Sequence, residues 1–207
     1  MSFSMTHSVV LPYPIDHVFH TLSDADRMER LQKLTPEAQK FSLLPPDIVS
    51  LPHSALSSLT HSDTMPEGCP RPRELPPLSL DQTADSEMRT FQRTYFEFSG
   101  TVPIPFGLFN RALSVAGAQI VDEEAKVVLF ESGVVAQGIK EVKLRTFRAI
   151  LLPGDSNGSE EPTKSGTEVK ETVWGTSPFG LSLLLKFLAP WVHRHHMELY
   201  SKLFEST

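Results

Sequence analysis

The stretch 166–204 constrains this chain more than any other. A strand-like run, GTEVKETVWGT, meets Ser177-Pro178 and then a long apolar helix, FGLSLLLKFLAPWVHRHHMELYSKLF. A helix carrying that much Leu, Phe, Trp and Met needs a large surface to lie in, because its apolar stripe must be covered by another element. The strands before it can supply that surface. A curved sheet gripping a C-terminal helix makes a pocket for an apolar small molecule. The most apolar part, Phe179 to Val192, is broken by Lys186 and Pro190 and is too short to span a bilayer.

The rest of the chain fits this frame. Ser8-Val9-Val10-Leu11 suits the end of a first strand over 3–11. Pro14 stands where a first-turn proline would, and Ile15, Val18, Phe19 and Leu22 mark one face of a short helix. Ser23 with Asp26 is a capping-box-like start for a second short helix reaching about Leu34. From Arg89 the pattern is β. The expected strands are Arg89–Pro103, Ala112–Asp122, Lys126–Ala136, Ile139–Leu152 and Gly166–Thr176, joined by turns at 122–125 and at Gln137-Gly138. Short turns imply an antiparallel meander.

Between these parts lies a stretch of different character. Residues 35–88 hold nine of the 17 prolines, at 36, 45, 46, 52, 66, 70, 72, 76 and 77. Phe41 to Leu51 is expected as an edge strand, since Pro45-Pro46 rules out a central one. His53 to His61 has room for one or two helical turns. About 62–88 is expected to be a disordered insertion, or else a lid over a pocket, and 153–165 a flexible hairpin tip. With 207 residues and 40% hydrophobic content, a single domain over 1–207 is expected.

Composition excludes some partners. Net charge is −6 with no dense basic block, which disfavours nucleic acid. One cysteine, Cys69, permits no internal disulfide, and MSFSMTHSVV lacks the features of a secretory signal, so a cytoplasmic protein is expected. No nucleophile elbow, phosphate loop, dinucleotide glycine fingerprint or Cys/His metal set is present, and no cofactor is expected.

The element order, with SVVLPYPIDHVFHTLSDADRM at the front and GTEVKETVWGTSPFG…HMELYSKLF at the back, resembles the SRPBCC superfamily, which includes START-type lipid carriers and polyketide cyclases and dehydrases. The resemblance covers about residues 5–34 and 89–205. It implies an α+β helix-grip fold, a curved antiparallel sheet wrapped around a long C-terminal helix with two short N-terminal helices. The superfamily has no single catalytic signature, so no catalytic residue carries over.

Candidate site residues come from the periodicities instead. On a wheel of 178–204 one face holds Leu181, Leu184, Leu185, Leu188, Val192, His195, Leu199 and Leu203, while His193 points away. His195 is the polar intruder and a candidate acid/base; the plain alternative is a histidine that packs. Zinc binding by the three histidines at 193, 195 and 196 is disfavoured, because only His193 and His196 come close to sharing a side, at i and i+3, and no third ligand is evident. In Ile139–Leu152 the face Val142, Leu144, Thr146, Arg148, Ile150 reads as inward, making Arg148 a candidate catalytic or anchoring charge; otherwise it snorkels to water at the cavity mouth. With a two-residue turn, Val127 would face Arg148 and Leu144 would face Glu131. Tyr95, Glu131, Glu171, Trp174, Leu188, Trp191 and Val192 are the expected ligand-binding residues.

Two functions are expected from this. One is a cofactor-independent enzyme of secondary metabolism that cyclises or isomerises an apolar polyketide or terpenoid. The other is a carrier or sensor of a lipid-like ligand. An interaction module with a filled core is the weaker third. Catalysis requires at least two polar groups converging on one spot; a carrier requires an almost wholly apolar lining.

Overall fold

The computed structural model describes residues 2–34, 38–52, 56, 88–103, 110–152 and 164–205. Seven strands form one antiparallel sheet: β1 (Ser2–Leu11), β2 (Ala38–Pro52), β3 (Met88–Pro103), β4 (Asn110–Asp122), β5 (Val127–Val134), β6 (Ile139–Leu152) and β7 (Lys164–Thr176). Their order is β1-β7-β6-β5-β4-β3-β2, so β2 to β7 make the expected meander and β1 closes onto β7. Helices α1 (Ile15–Ser23) and α2 (Ala25–Gln32) follow β1. Helix α3 (Phe179–Glu198) follows β7, packs chiefly on β1, and ends in a 3-10 turn, Leu199–Leu203. This is the helix-grip architecture. The insertion over 62–88 and the tip at 153–165 lie outside the described residues, apart from Met88 in β3 and Lys164 and Ser165 in β7; of His53 to His61 only Leu56, which is helical, lies within them.

Local chemistry explains the element ends. Pro14 stands just before α1, and its carbonyl accepts from the Val18 N–H. Asp24, one residue later than the expected Ser23, caps α2, its carboxylate accepting from the Asp26 N–H at 2.9 Å. Asp122 accepts from the Glu124 and Ala125 N–H groups, closing the β4–β5 turn. Pro45-Pro46 sits in edge strand β2, where the register shifts between Leu44 and Asp47.

The β5–β6 connection differs from expectation. Val134 pairs with Ile139, so the loop is a 3-10 turn, Val135–Gln137, closed by Gly138 at φ 64°. Strand β5 therefore stops two residues early. Val127 faces Thr146 and Glu131 faces Val142, in place of Arg148 and Leu144.

The sheet carries a core on each face. On the helix-bearing side Leu11, Phe96, Val128, Phe130, Phe147 and Val169 pack with Phe19, Met28, Met197 and Tyr200. On the outer side Leu51, Phe91, Ile120, Leu129, Val142, Leu144 and Trp174 form a second cluster, joined by Leu56. The strands are thus apolar on both faces. A two-sided apolar pattern leaves periodicity with no means of telling inside from outside.

Candidate functional site

That ambiguity inverts two expected faces. On β6 the apolar set Val142 and Leu144 belongs to the outer cluster, while Lys143, Arg145 and Phe147 face the helices. Arg145 is fully buried. Arg148 lies on the surface, its side chain 74% exposed and paired to Glu168 at 2.8 Å. On α3 the inward residues after Pro190 are His193, His196, Met197 and Tyr200, one position later than the expected Val192, His195 and Leu199. One residue is about 100° of helical rotation. The wheel placed the greasiest side inward, but the interior it meets is charged.

The helix-facing row of β6 and β7 builds that charge. Register sets Arg145 opposite Glu171, and Glu171 opposite His7 of β1. Arg145 Nε donates to Glu171 Oε1 at 2.5 Å, Nη2 to the Tyr200 hydroxyl at 2.9 Å, and Nη1 to the Leu22 carbonyl at 2.6 Å. The Tyr200 hydroxyl in turn donates to Glu171 Oε1 at 2.8 Å. The guanidinium lies against the rings of Phe130 and Tyr200, at 5.0 and 5.2 Å. Its bond to Leu22, with that of Gln119 Nε2 to the Ser23 carbonyl, satisfies carbonyls left open at the end of α1. Arg145 therefore ties sheet, α1 and the C-terminal turn together.

The second oxygen of Glu171 is different. Oε2 is buried and accepts no hydrogen bond. Lys143 Nζ stands 3.7 Å from it and His193 Nε2 3.4 Å. His193 Nε2 is likewise buried without a hydrogen-bond partner. Burial favours the neutral acid of Glu171, but Arg145, Lys143 and His193 outweigh it and hold the carboxyl well below the usual range. Burial pushes His193 down to about 4 against the pull of Glu171, and His196 down to about 3. Both imidazoles are neutral at pH 7. Burial also lowers Lys143, again opposed by Glu171, and raises Glu141. The cluster offers an ionised acceptor, a lysine whose proton is loosened by burial, and a neutral imidazole.

A groove of about 590 Å³ lies beside it, walled by Phe3 and Met5 with Ser2 and Ser4 of β1, by Trp174, Gly175 and Thr176 of β7, and by Leu185, Lys186 and Pro190 of α3, so its wall mixes apolar and polar groups. Met5 pairs with Val173, and His7 with Glu171, so the charged row begins two residues further along these strands, about 7 Å away. Gly175 is required here, because a Cβ would overlap the ring of Phe3. Among the described residues no three His, Cys, Asp or Glu side chains meet as metal ligands, and no described helix is long and apolar enough to cross a membrane.

The expected site residues thus scatter. Glu171 sits in the buried cluster and Trp174 borders the groove. Leu188 is half-buried on α3, while Trp191, Val192 and His195 face outward, His195 stacked on Trp191. Tyr95 and Glu131 share the outer face of the sheet; the Tyr95 hydroxyl donates to Asp47 at 2.8 Å, and Arg93 pairs with the same carboxylate. Arg148 and His195 do not meet. Sequence reasoning missed Lys143, Arg145, His193 and Tyr200. A signal was present in Glu171, a charge between Val169 and Val173, but its pairing with Arg145 needed the register to be read.

No protein-family model matches this chain, and no curated protein matches it in sequence. Solved structures do share its fold. Norcoclaurine synthase from Thalictrum flavum superposes with a TM-score of 0.53 at 11% identity, covering 100% of this chain and 96% of that one. The Zhui aromatase/cyclase from Streptomyces sp. R1128 gives 0.51 at 11%, covering 99% and 93%. Ara h 8.0201 gives 0.53 at 11%, covering 100% of both. The SRPBCC resemblance read from the sequence is borne out as a likeness of fold.

Proposed function

We propose that this chain binds an apolar small molecule in the groove between β1, β7 and α3 and promotes its isomerisation or cyclisation by proton transfer at Lys143, Glu171 and His193. One observation carries the reading: a buried, ionised carboxylate oxygen with no hydrogen-bond partner, flanked by a lysine and a neutral histidine beside a groove with Phe3, Met5, Leu185 and Pro190 in its wall. Unpaired buried polar atoms are costly and concentrate where a ligand supplies the missing partner. In this reading the His193 imidazole takes a proton from a ligand carbon next to a carbonyl, and Glu171 stabilises the imidazolium. The Lys143 ammonium stabilises the enolate oxygen. Return of the proton to a different carbon gives an isomer; attack of the enolate carbon on a second carbonyl closes a ring, and the imidazolium returns its proton to the alkoxide so formed. The fold-level likeness to a synthase and an aromatase/cyclase supports this class, and a secondary-metabolite substrate with it.

A carrier of a lipid-like ligand is the second reading, favoured by Phe3, Met5, Leu185 and Pro190 in the groove wall, which they share with Ser2, Ser4, Thr176 and Lys186. The test separates them. Purified protein is titrated with an apolar fluorescent dye and then incubated with poly-β-ketone and cyclic enone substrates. Lys143→Met and His193→Asn should leave dye affinity within a few-fold while turnover falls about 100-fold or more. Substrate bound and recovered unchanged by the wild type would establish the carrier and remove the catalytic reading.

A further inference from the structure

The outward side of α3 carries a ridge of large apolar side chains. Phe179 is 71% exposed, Phe187 79%, Trp191 67% and Val192 49%. Phe187 and Trp191 fall at i and i+4, one above the other on the same face, and Phe179 lies two turns earlier and about 80° round from Phe187. Trp191 stacks on His195 a turn later, centroids 5.9 Å apart and rings 8° from parallel, which holds the indole on the outside. Ile48 and Leu151 are as exposed, but they stand on separate strands, whereas these four side chains share one helix, and such a patch marks an interaction site.

We propose that this ridge docks on the surface of an anionic lipid bilayer, with α3 lying in the interface plane and the neighbouring groove open to the lipid. Charge selects the partner. The chain is net −6, yet from Thr172 to Met197 it contains no Asp or Glu and does contain Lys186 and Arg194, both exposed. Aromatic anchors beside cations, free of acids, match the headgroup region of an anionic leaflet, where Trp settles and each cation adds attraction. The docking proposed is peripheral, and no described helix is long and apolar enough to cross a bilayer. Position gives the docking a use. Leu185, Lys186 and Pro190 of this same helix wall the groove, so an apolar ligand crosses between groove and membrane at the docked surface. This surface is independent of the chemistry at Glu171.

The test uses the full chain with vesicles of phosphatidylcholine alone, or with about one third phosphatidylserine. The wild type should sediment with the anionic vesicles and be released by high salt. Tryptophan emission should move to shorter wavelength and be quenched by brominated lipid. Trp174 is buried, so the response reports Trp191. Phe187→Ser with Trp191→Ser should weaken partitioning about ten-fold or more, and Lys186→Glu with Arg194→Glu should abolish the preference for anionic lipid. All four side chains are exposed, so both variants should melt with the wild type. Wild-type protein left in solution with both vesicle types overturns the proposal. So does vesicle binding that the serine pair leaves unchanged. A dimer dissolved by the serine pair, without vesicle binding, overturns it in favour of a protein interface.

Discussion

Replacing Arg145 by Met probes the buried pair that organises the site. The guanidinium makes three hydrogen bonds, to Glu171, Tyr200 and the Leu22 carbonyl, and neither it nor Glu171 is exposed to water. Arg145→Met leaves a buried carboxylate with one neutral donor on Oε1 and, beside Oε2, only Lys143 at 3.7 Å and the neutral His193 at 3.4 Å. Removing one partner of such a pair costs about 3–5 kcal/mol. Glu171→Gln strands the guanidinium instead and costs about 3 kcal/mol on the same grounds. Simple addition puts the double variant about 6–8 kcal/mol down, comparable to the whole stability of a domain. The double variant leaves neither member of the pair stranded, and only the partly exposed Lys143 loses its neighbour, so it should lose about 3–5 kcal/mol, a coupling of about 3 kcal/mol. Urea unfolding of all four proteins measures the cycle. In thermal melts each single variant should fall roughly 10 °C. Additive losses, with no coupling beyond about 0.5 kcal/mol, would refute the claim that the pair's worth lies in mutual charge compensation.

Other consequences follow from the same geometry. His193 and His196 are neutral in the fold down to about 4 and 3 but take protons near 6.5 when unfolded, so the unfolded state binds more protons between those values. Stability should therefore fall as pH drops below about 6.5, by about 1 kcal/mol per pH unit for each histidine, and His193→Asn should flatten a plot of urea midpoint against pH. Gly175→Ala should cost about 1–3 kcal/mol through overlap with Phe3, and Phe3→Ala in the same chain should recover part of it in melts. Leu56→Ala should cost about 2–5 kcal/mol, because Leu56 is buried in the outer cluster. Arg148→Ala should change stability by less than about 0.5 kcal/mol, since its pair with Glu168 is exposed.

The strand boundaries were legible because alternation, prolines and turn residues act locally. Ile139–Leu152 appears with the expected ends, and Pro45-Pro46 does mark an edge strand. The site was not. Each strand residue has only two sides to choose between, and an apolar core on both faces makes the choice invisible along the chain. Val142 and Leu144 were as fit for the outside as for the inside. On α3 the hydrophobic wheel assumed an apolar host, whereas His193 and Tyr200 turn inward to meet Glu171 and Arg145.

The sequence by itself determined that a meander of strands would close on a C-terminal helix, because periodicity and turn chemistry are properties of neighbours. It determined that Glu171, Lys143 and Arg145 would lie on strands, and that α3 would need a large surface to cover its apolar residues. Only the tertiary structure decided which faces turned inward. Cross-strand register brings Arg145 opposite Glu171, and packing on both sides of the sheet rotates the charges into the interior while leaving Phe187 and Trp191 outside. Burial and pairing are relations between residues far apart in the chain, which a local pattern does not encode.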